Sequence, residues 1–309
     1  MKHLIPTIAL LLTIAPISVR AEEQLKHPVK PLLWKIEGGD LKKPSYLFGT
    51  IHLGGGPLNK LHPAAEKAFE ESEVVLTEIP MDAKTQLGTM GKLMRKDGKT
   101  LTESIGEDLS KELDAELRAI NPALSSKPFQ PLCTWAIAAT LPMLEIQLTG
   151  ATAMDKRIWD AAVKKDKKTD AMETADSQLD IFASLTEEEQ IGFLSETLRT
   201  MRKDREEGKN SIKELTDAYI QGDAALIKKL VEKSFQEMRE GPQKELGEKI
   251  AEKLLPQRDK TMAATIAEKL KASPDTVHFF AAGTAHFTGE PSIRSHLEKA
   301  GYRITRIEE

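Results

Sequence analysis

The sequence predicts an α/β (α+β) fold: a mixed β-sheet core formed by the N- and C-terminal segments, carrying a large helical insertion at about residues 82–270. Three observations predict it. Short β-branched and aromatic runs bounded by Gly and Pro occur near both ends of the chain. Ala, Leu, Lys and Glu dominate the middle, where Pro and Gly only punctuate a helical pattern. No low-complexity linker and no tandem repeat divides the 309 residues, so residues 22–309 read as a single domain.

The elements follow in order. Residues 1–21 (MKHLIPTIALLLTIAPISVRA) read as a signal peptide. Lys2 and His3 form the n-region, Leu4 to Ile17 the apolar h-region, and Val19 and Ala21 the small residues before a cleavage point. This predicts a periplasmic or secreted protein, with no stable transmembrane segment after cleavage, because no other run approaches a membrane-spanning length. LLWKIE (32–37) and SYLFGT (45–50) read as the two strands of a hairpin, separated by Gly38-Gly39-Asp40 and Pro44. Pro63 to Ser72 has helical spacing with Pro at an early position. EVVLTEI (73–79) is a strand stopped by Pro80, and Lys168 to Met172 is a short strand inside the helical middle. TVHFFAA (276–282) reads as a buried strand, Ser292 to Ala300 as a helix stopped by Gly301, and YRITRI as the last strand.

Composition removes several function classes. With 44 basic and 48 acidic residues the formal charge is −4, and no basic block stands out, so no nucleic-acid partner is expected. A single cysteine, Cys133, excludes a disulfide framework within the chain and a cysteine-based zinc or iron–sulfur site. Neither a P-loop nor a serine-hydrolase Gly-x-Ser-x-Gly elbow is present.

What carries chemistry is a pair of tetrapeptides. Gly49-Thr50-Ile51-His52 follows one strand, and Gly283-Thr284-Ala285-His286 follows another. The spacing alone is weak, and two unrelated loop histidines would also produce it. The context is stronger: both have the form Gly-Thr-x-His, and both stand where a strand leaves the sheet. Glycine there is expected to let the backbone turn tightly, presenting each histidine beyond the strand end, where ligands bind in open α/β sheets. Neutral imidazoles delivered to one edge can share a metal.

Two carboxylates fit the same edge. Alternation along EVVLTEI puts Val74, Leu76 and Glu78 on one face, and an acid on an apolar strand face must be paired, metal-bound or at the rim. Glu173 follows KTDAM in the same topological place. His52, Glu78, Glu173 and His286 would then supply the mixed nitrogen and oxygen set of a catalytic divalent metal (Mn, Co, Zn or Fe), with one carboxylate available as a general base. A salt bridge to a helix cation accounts for Glu78 equally well when it is taken alone.

The remaining candidates read as structural. His278 is a sheet-face residue, His62 stands at a helix entry, His27 in the start of the chain and His296 on a helix face. Gly54-Gly55-Gly56 is placed to form a loop over the site. Cys133 in PLCTWAIAATL reads as core, and core filling is favoured over a peptide groove for Met81, Met90, Met94, Met143 and Met154.

These residues resemble a known family. LLWKIEGGDLKKPSYLFGTIHLG resembles the opening of the TraB/PrgY/GumN family, which includes the TIKI metalloproteases, and FFAAGTAHFTGEPSIRSHLEKAGYRITRI resembles its closing segment. EVVLTEI matches the acid-bearing strand, and TDAMETADSQLDIF is similar to a Gly-Leu-Glu-Thr stretch, with Ala171 and Met172 replacing Gly and Leu. Thr149-Gly150 to Asp155 and Trp159 resemble the segment before it. Pro256 to Ala263 resembles an Arg-Asn motif but carries Asp259 where the pattern has Asn. The resemblance implies a fold related to the erythromycin-esterase and ChaN-like proteins, and a metal-dependent hydrolase, proteolytic in the TIKI members. It makes His52 and His286 the motif histidines, Glu78 and Glu173 the acids, and Arg258 the motif arginine, which would orient a carboxylate or stabilise an oxyanion. The expected function is an exported metal-dependent peptidase acting on a peptide or protein. The alternatives are ester hydrolysis on the same fold, and a non-catalytic binder of a peptide signal or haem-like ligand.

Overall fold

The structure is a computed structural model that describes residues 25–309, so the signal-peptide reading of residues 1–21 lies outside the described residues. Six strands form one mixed sheet: β1 (Leu33–Gly38), β2 (Ser45–Thr50), β3 (Val74–Thr77), β4 (Lys168–Ala171), β5 (His278–Gly283) and β6 (Tyr302–Ile307). Their spatial order is β4-β3-β5-β2-β1-β6. β1 runs antiparallel to both β2 and β6. β2, β5, β3 and β4 run parallel to one another.

Sequence explains position in the sheet. Every residue of β2 and β5 is buried, which is why FFAA is an unbroken apolar run: a central parallel strand is covered on both faces. β6 at one edge alternates in burial and β4 at the other is the polar run KTDA, as edge strands require.

Between and after the strands come α1 (Pro63–Glu71), α2 (Ala83–Leu93), α3 (Leu101–Ile120), α4 (Thr134–Thr140), α5 (Leu144–Gln147), α6 (Met154–Lys164) and α7 (Ala175–Ala183). They are followed by α8 (Glu187–Glu206), α9 (Ser211–Gln221), α10 (Ala224–Glu240), α11 (Lys244–Leu254), α12 (Pro256–Ala272), α13 (Ala285–Thr288) and α14 (Ile293–Lys299). Local chemistry starts the helices where it should. Pro63 occupies the first turn of α1, and full capping boxes, Thr100 with Glu103 and Thr186 with Glu189, open the two longest helices. After α14 the chain reverses through Gly301 at φ +94°.

Two large apolar cores result. One fills both faces of the sheet and includes Leu33, Leu47, Leu76, Phe279, Phe280 and Phe287. The other lies among α3, α4 and α8, where Leu101, Leu113, Leu117, Ile137, Leu194 and Leu198 are buried together. The helical middle therefore has packing of its own, and it adds a strand to the sheet through β4.

Two core expectations are corrected. Cys133 is the half-buried N-cap residue of α4, not a core residue, and its thiol points to the Lys92 carbonyl 3.8 Å away. Core filling holds for Met154, which is fully buried, but Met90 is 63% exposed and Met94 is also exposed, both on the outer side of α2 and the turn after it. Among the described residues no helix is long and apolar enough to cross a membrane.

Candidate metal centre

The four parallel strands end at one edge of the sheet, and each delivers one side chain just beyond its end. β2 leads to His52, β3 to Glu78, β4 to Glu173 and β5 to His286. Parallel pairing continues past β3 and β4: the Met172 and Glu173 amides donate to the Thr77 and Glu78 carbonyls at 2.9 and 2.8 Å. This sets the two glutamates side by side.

Each imidazole is held by a carboxylate on its Nδ1. His52 Nδ1 lies 2.9 Å from Asp155 Oδ2, and the other oxygen of Asp155 accepts from the Thr50 hydroxyl at 2.5 Å. His286 Nδ1 lies 2.5 Å from Asp259 Oδ1. A carboxylate there accepts from Nδ1–H, so that the neutral imidazole presents its lone pair at Nε2. The two Nε2 atoms converge on the same atom, Glu78 Oε1, at 3.7 Å from His52 and 3.9 Å from His286.

Glu78 is fixed from every side. Its Oε1 accepts from the Gly283 amide at 2.6 Å. Its Oε2 accepts from Gln178 at 2.9 Å and from Arg258 Nη2. Arg258 in turn grips Glu173, with Nε 2.9 and 3.2 Å from the two oxygens, and its Nη1 donates to the Leu254 carbonyl at 3.3 Å. The guanidinium thus binds two carboxylates and a carbonyl and positions both glutamates. Glu173 makes its side-chain contacts with Arg258 and Gln178.

The electrostatics follow from this wiring. Asp155 beside His52, with Glu78 adding to it, holds the imidazole well above its ordinary range. Burial alone would raise the Glu78 carboxyl, but His286, His52, Arg258 and the Gly283 amide outweigh it and hold the group well below the usual carboxylate range. Glu78 is therefore an anion and a poor proton acceptor at neutral pH, which suits a cation ligand better than a general base. Asp259 is pushed up, chiefly by its burial, and its bond to His286 only partly offsets this.

Asp155→Asn will lower the His52 pKa toward the ordinary imidazole value of about 6.5, read from imidazole NMR shifts in chelator-treated protein. A raised folded-state pKa stabilises most below the unfolded value and loses that contribution as pH rises through the folded one. The stability gap between wild type and variant will therefore be widest at acidic pH and narrow as the solution becomes alkaline. An unchanged His52 titration would rule out Asp155 as the cause.

The motif glycines do something other than turn the chain. Neither Gly49 nor Gly283 adopts a positive φ, so the expected tight-turn role is replaced by close approach. A Cβ on Gly49 would lie 2.7 Å from Thr284 Oγ1. A Cβ on Gly283 would lie 3.2 Å from Glu78 Oε1 and 3.3 Å from His52 Nε2, in the space between the donor atoms. Gly283→Ala is expected to fold, because its backbone geometry admits alanine, yet to weaken divalent-metal affinity by about tenfold or more, as displaced ligands do. Wild-type affinity in a well-folded variant would contradict that reading.

Among the described residues no three His, Cys, Asp or Glu side chains already stand at metal-binding spacing. The donor set nevertheless suits a divalent ion. Tetrahedral ligands about 2.1 Å from an ion stand roughly 3.4 Å apart, within a few tenths of an ångström of the 3.7 and 3.9 Å observed. The pre-oriented Nε2 atoms and the space at Gly283 that a Cβ would fill point the same way.

The other histidines stand apart. His62 caps α1, accepting from the Ala64 amide at 3.2 Å, and its ring packs edge-on against His27. His278 is buried at the opposite end of β5, with burial holding its pKa low. His296 lies half-buried on α14. Gly54 packs directly under the Thr152 carbonyl, joining the loop after His52 to the segment before α6. Two participants were not anticipated from sequence. Asp155 and Gln178 lie within the resembling segments, but neither is marked there as a site residue.

Fold and site together define an α/β protein with two carboxylate-backed histidines and a clamped glutamate at the carboxyl edge of four parallel strands. The TraB/PrgY/gumN family model matches residues 32–306, and the chain belongs to that family. Its curated relatives include a "Metalloprotease TIKI homolog" of Nematostella vectensis, 23% identical over 85% of this chain and 65% of the relative. "Metalloprotease TIKI2" of Danio rerio is 22% identical over 88% of this chain and 60% of the relative. The chain thus spans less than two thirds of the length of these two relatives. No solved structure gives a significant match.

Proposed function

We propose that this chain is an exported, metal-dependent hydrolase that cleaves peptide bonds, working in the periplasm or as a secreted protein on a peptide or protein substrate. One observation carries the reading: two imidazoles, each oriented by its own carboxylate, aim Nε2 at a single oxygen of an ionised, immobilised Glu78. The names of the TIKI relatives and the apolar leader at residues 1–21 support it.

In this reading His52, His286 and Glu78 hold a divalent cation (Mn, Co, Zn or Fe). That cation supplies a Lewis acid to polarise the scissile carbonyl and lowers the pKa of water. Asp155 and Asp259 keep the imidazoles in the donor tautomer, and Asp259 serves here without need of the amide that the Arg-Asn motif would provide. Arg258 and Glu173 position Glu78. His52, with 57% of its side chain exposed, marks the face open to substrate.

The test is hydrolysis of a peptide library by mature protein loaded in turn with Mn, Co, Zn and Fe. Cleavage that a chelator stops, that returns on reloading, and that Glu78→Gln removes would support the proposal. No cleavage by any of the four loaded forms, with the fold verified and metal bound, would reject it in favour of a binding protein.

A further inference from the structure

A second cavity, of about 400 Å³, opens beside the edge of the sheet away from β3 and β4. Its walls come from β1, β6, the first turns of α10, the end of α13, and α14, and include Trp34, Lys228, Glu290, Arg294, Ile304 and Arg306. Three cations thus face one acid.

The two arginines are placed unusually. Both stack on the buried indole of Trp34, Arg294 with its guanidinium carbon 5.3 Å and Arg306 6.0 Å from the ring centroid. Among the described residues, Arg294 meets no carboxylate. Its Nε donates to the Phe287 carbonyl, which leaves the two terminal nitrogens uncommitted. Arg306 Nη2 donates to the Gly222 carbonyl, while its buried Nε has no hydrogen-bond partner and stands 4.0 Å from the nearest Glu308 oxygen. Burial holds the Arg294 pKa down, with Glu298 and Glu290 opposing it and Arg306 adding to it.

Two arginines gathered at one indole, with Glu290 the one acid on the cavity wall and Glu308 4.0 Å from Arg306, leave an excess of positive charge that an anion would complete. The indole faces meet part of that need through cation–π contact. The opening turn of α10, a 17-residue helix capped by Asp223, forms part of the same wall. Ile304 and the alanines Ala224 and Ala225 at the start of α10 supply an apolar surface beside the charges, over the buried indole.

We infer that this cavity binds an oxyanion group, carboxylate or phosphate, carried on a small apolar body, with the oxyanion on Arg294 and Arg306 and the body against Ile304 and the first turn of α10. Arginine forks match both headgroups bidentately. The site is separate from His52, Glu78 and His286 and stands whether or not the peptidase reading does.

Calorimetric titration of chelator-treated protein with hexyl phosphate and with hexanoate tests this. Saturable one-to-one binding of either probe is expected, accompanied by a change in tryptophan fluorescence. The headgroup that binds identifies the source chemistry. Arg294→Gln should weaken binding by about tenfold or more. Lys228→Glu, at the exposed rim of α10, should weaken it several-fold without touching the packing of Trp34. Absence of saturable binding up to about 10 mM for both probes would overturn the inference. So would unchanged affinity in the two variants, or loss of binding in His52→Ala/His286→Ala with Arg294 intact.

Discussion

His52→Ala combined with His286→Ala will abolish stoichiometric uptake of Mn, Co, Zn or Fe while leaving the fold intact. Both imidazoles end in Nε2 atoms that meet no protein donor or acceptor at hydrogen-bonding distance among the described residues, 3.7 and 3.9 Å from Glu78 Oε1. Removing them deletes two of three donors, so the loss should exceed the ~10–100-fold that changes to outer-shell partners cost. Metal content by elemental analysis, with circular dichroism as the fold control, reads the result. Binding retained at wild-type stoichiometry would place the ion elsewhere. In wild type, affinity should rise with pH, because Asp155 holds a proton on His52 that the metal must displace.

Arg258→Met should destabilise the metal-free protein by about 3–5 kcal/mol at pH 7, the cost of breaking a buried ion pair by removing one partner. Arg258, Glu78 and Glu173 are all nearly inaccessible, and the single guanidinium serves both carboxylates. Without it two anions remain buried side by side. For a domain of this size the melting temperature would fall by roughly 6–20 °C. The sign with pH follows from Glu78. Its folded-state pKa is depressed, so it stabilises above the unfolded value of about 4.3, and that contribution disappears as pH falls through the folded value. The gap between wild type and variant should therefore be full at pH 7 and shrink in acid. A difference under about 1 kcal/mol at pH 7 would show that Arg258 does not carry the burden assigned to it.

Much of this architecture is legible in the residues because local chemistry and burial agree. FFAA is apolar without alternation because β5 is covered on both faces, and β6 alternates because it is an edge. Gly-Thr-x-His is visible twice because sequence-local geometry presents each histidine. Asp155 is a different matter. It lies about a hundred residues from His52, in the first turn of an amphipathic helix where an acid is ordinary. Only the packing of α6 against the sheet gives it a partner. Gln178 is hidden for the same reason. The motif glycines were visible, but their purpose was not, since a missing Cβ matters only once Thr284 or Glu78 has arrived from elsewhere in the chain. Cys133 and Met90 show the opposite error: an apolar neighbourhood in sequence predicted burial, whereas the end of a helix and its outer face left them accessible.

The strand order sets a timetable for the newborn chain. β5 is nearly the last strand to be made, yet it lies between the β2–β1 hairpin and the β3–β4 pair. Until residues 278–283 arrive, His52 and Glu78 belong to two half-sheets with nothing to bring them together. Synthesis proceeds from the N-terminus, and pairings distant in sequence are slow to form. A chain interrupted before β5 would hold three of the four delivered residues and no assembled centre, so the site comes together only when the polypeptide is almost finished.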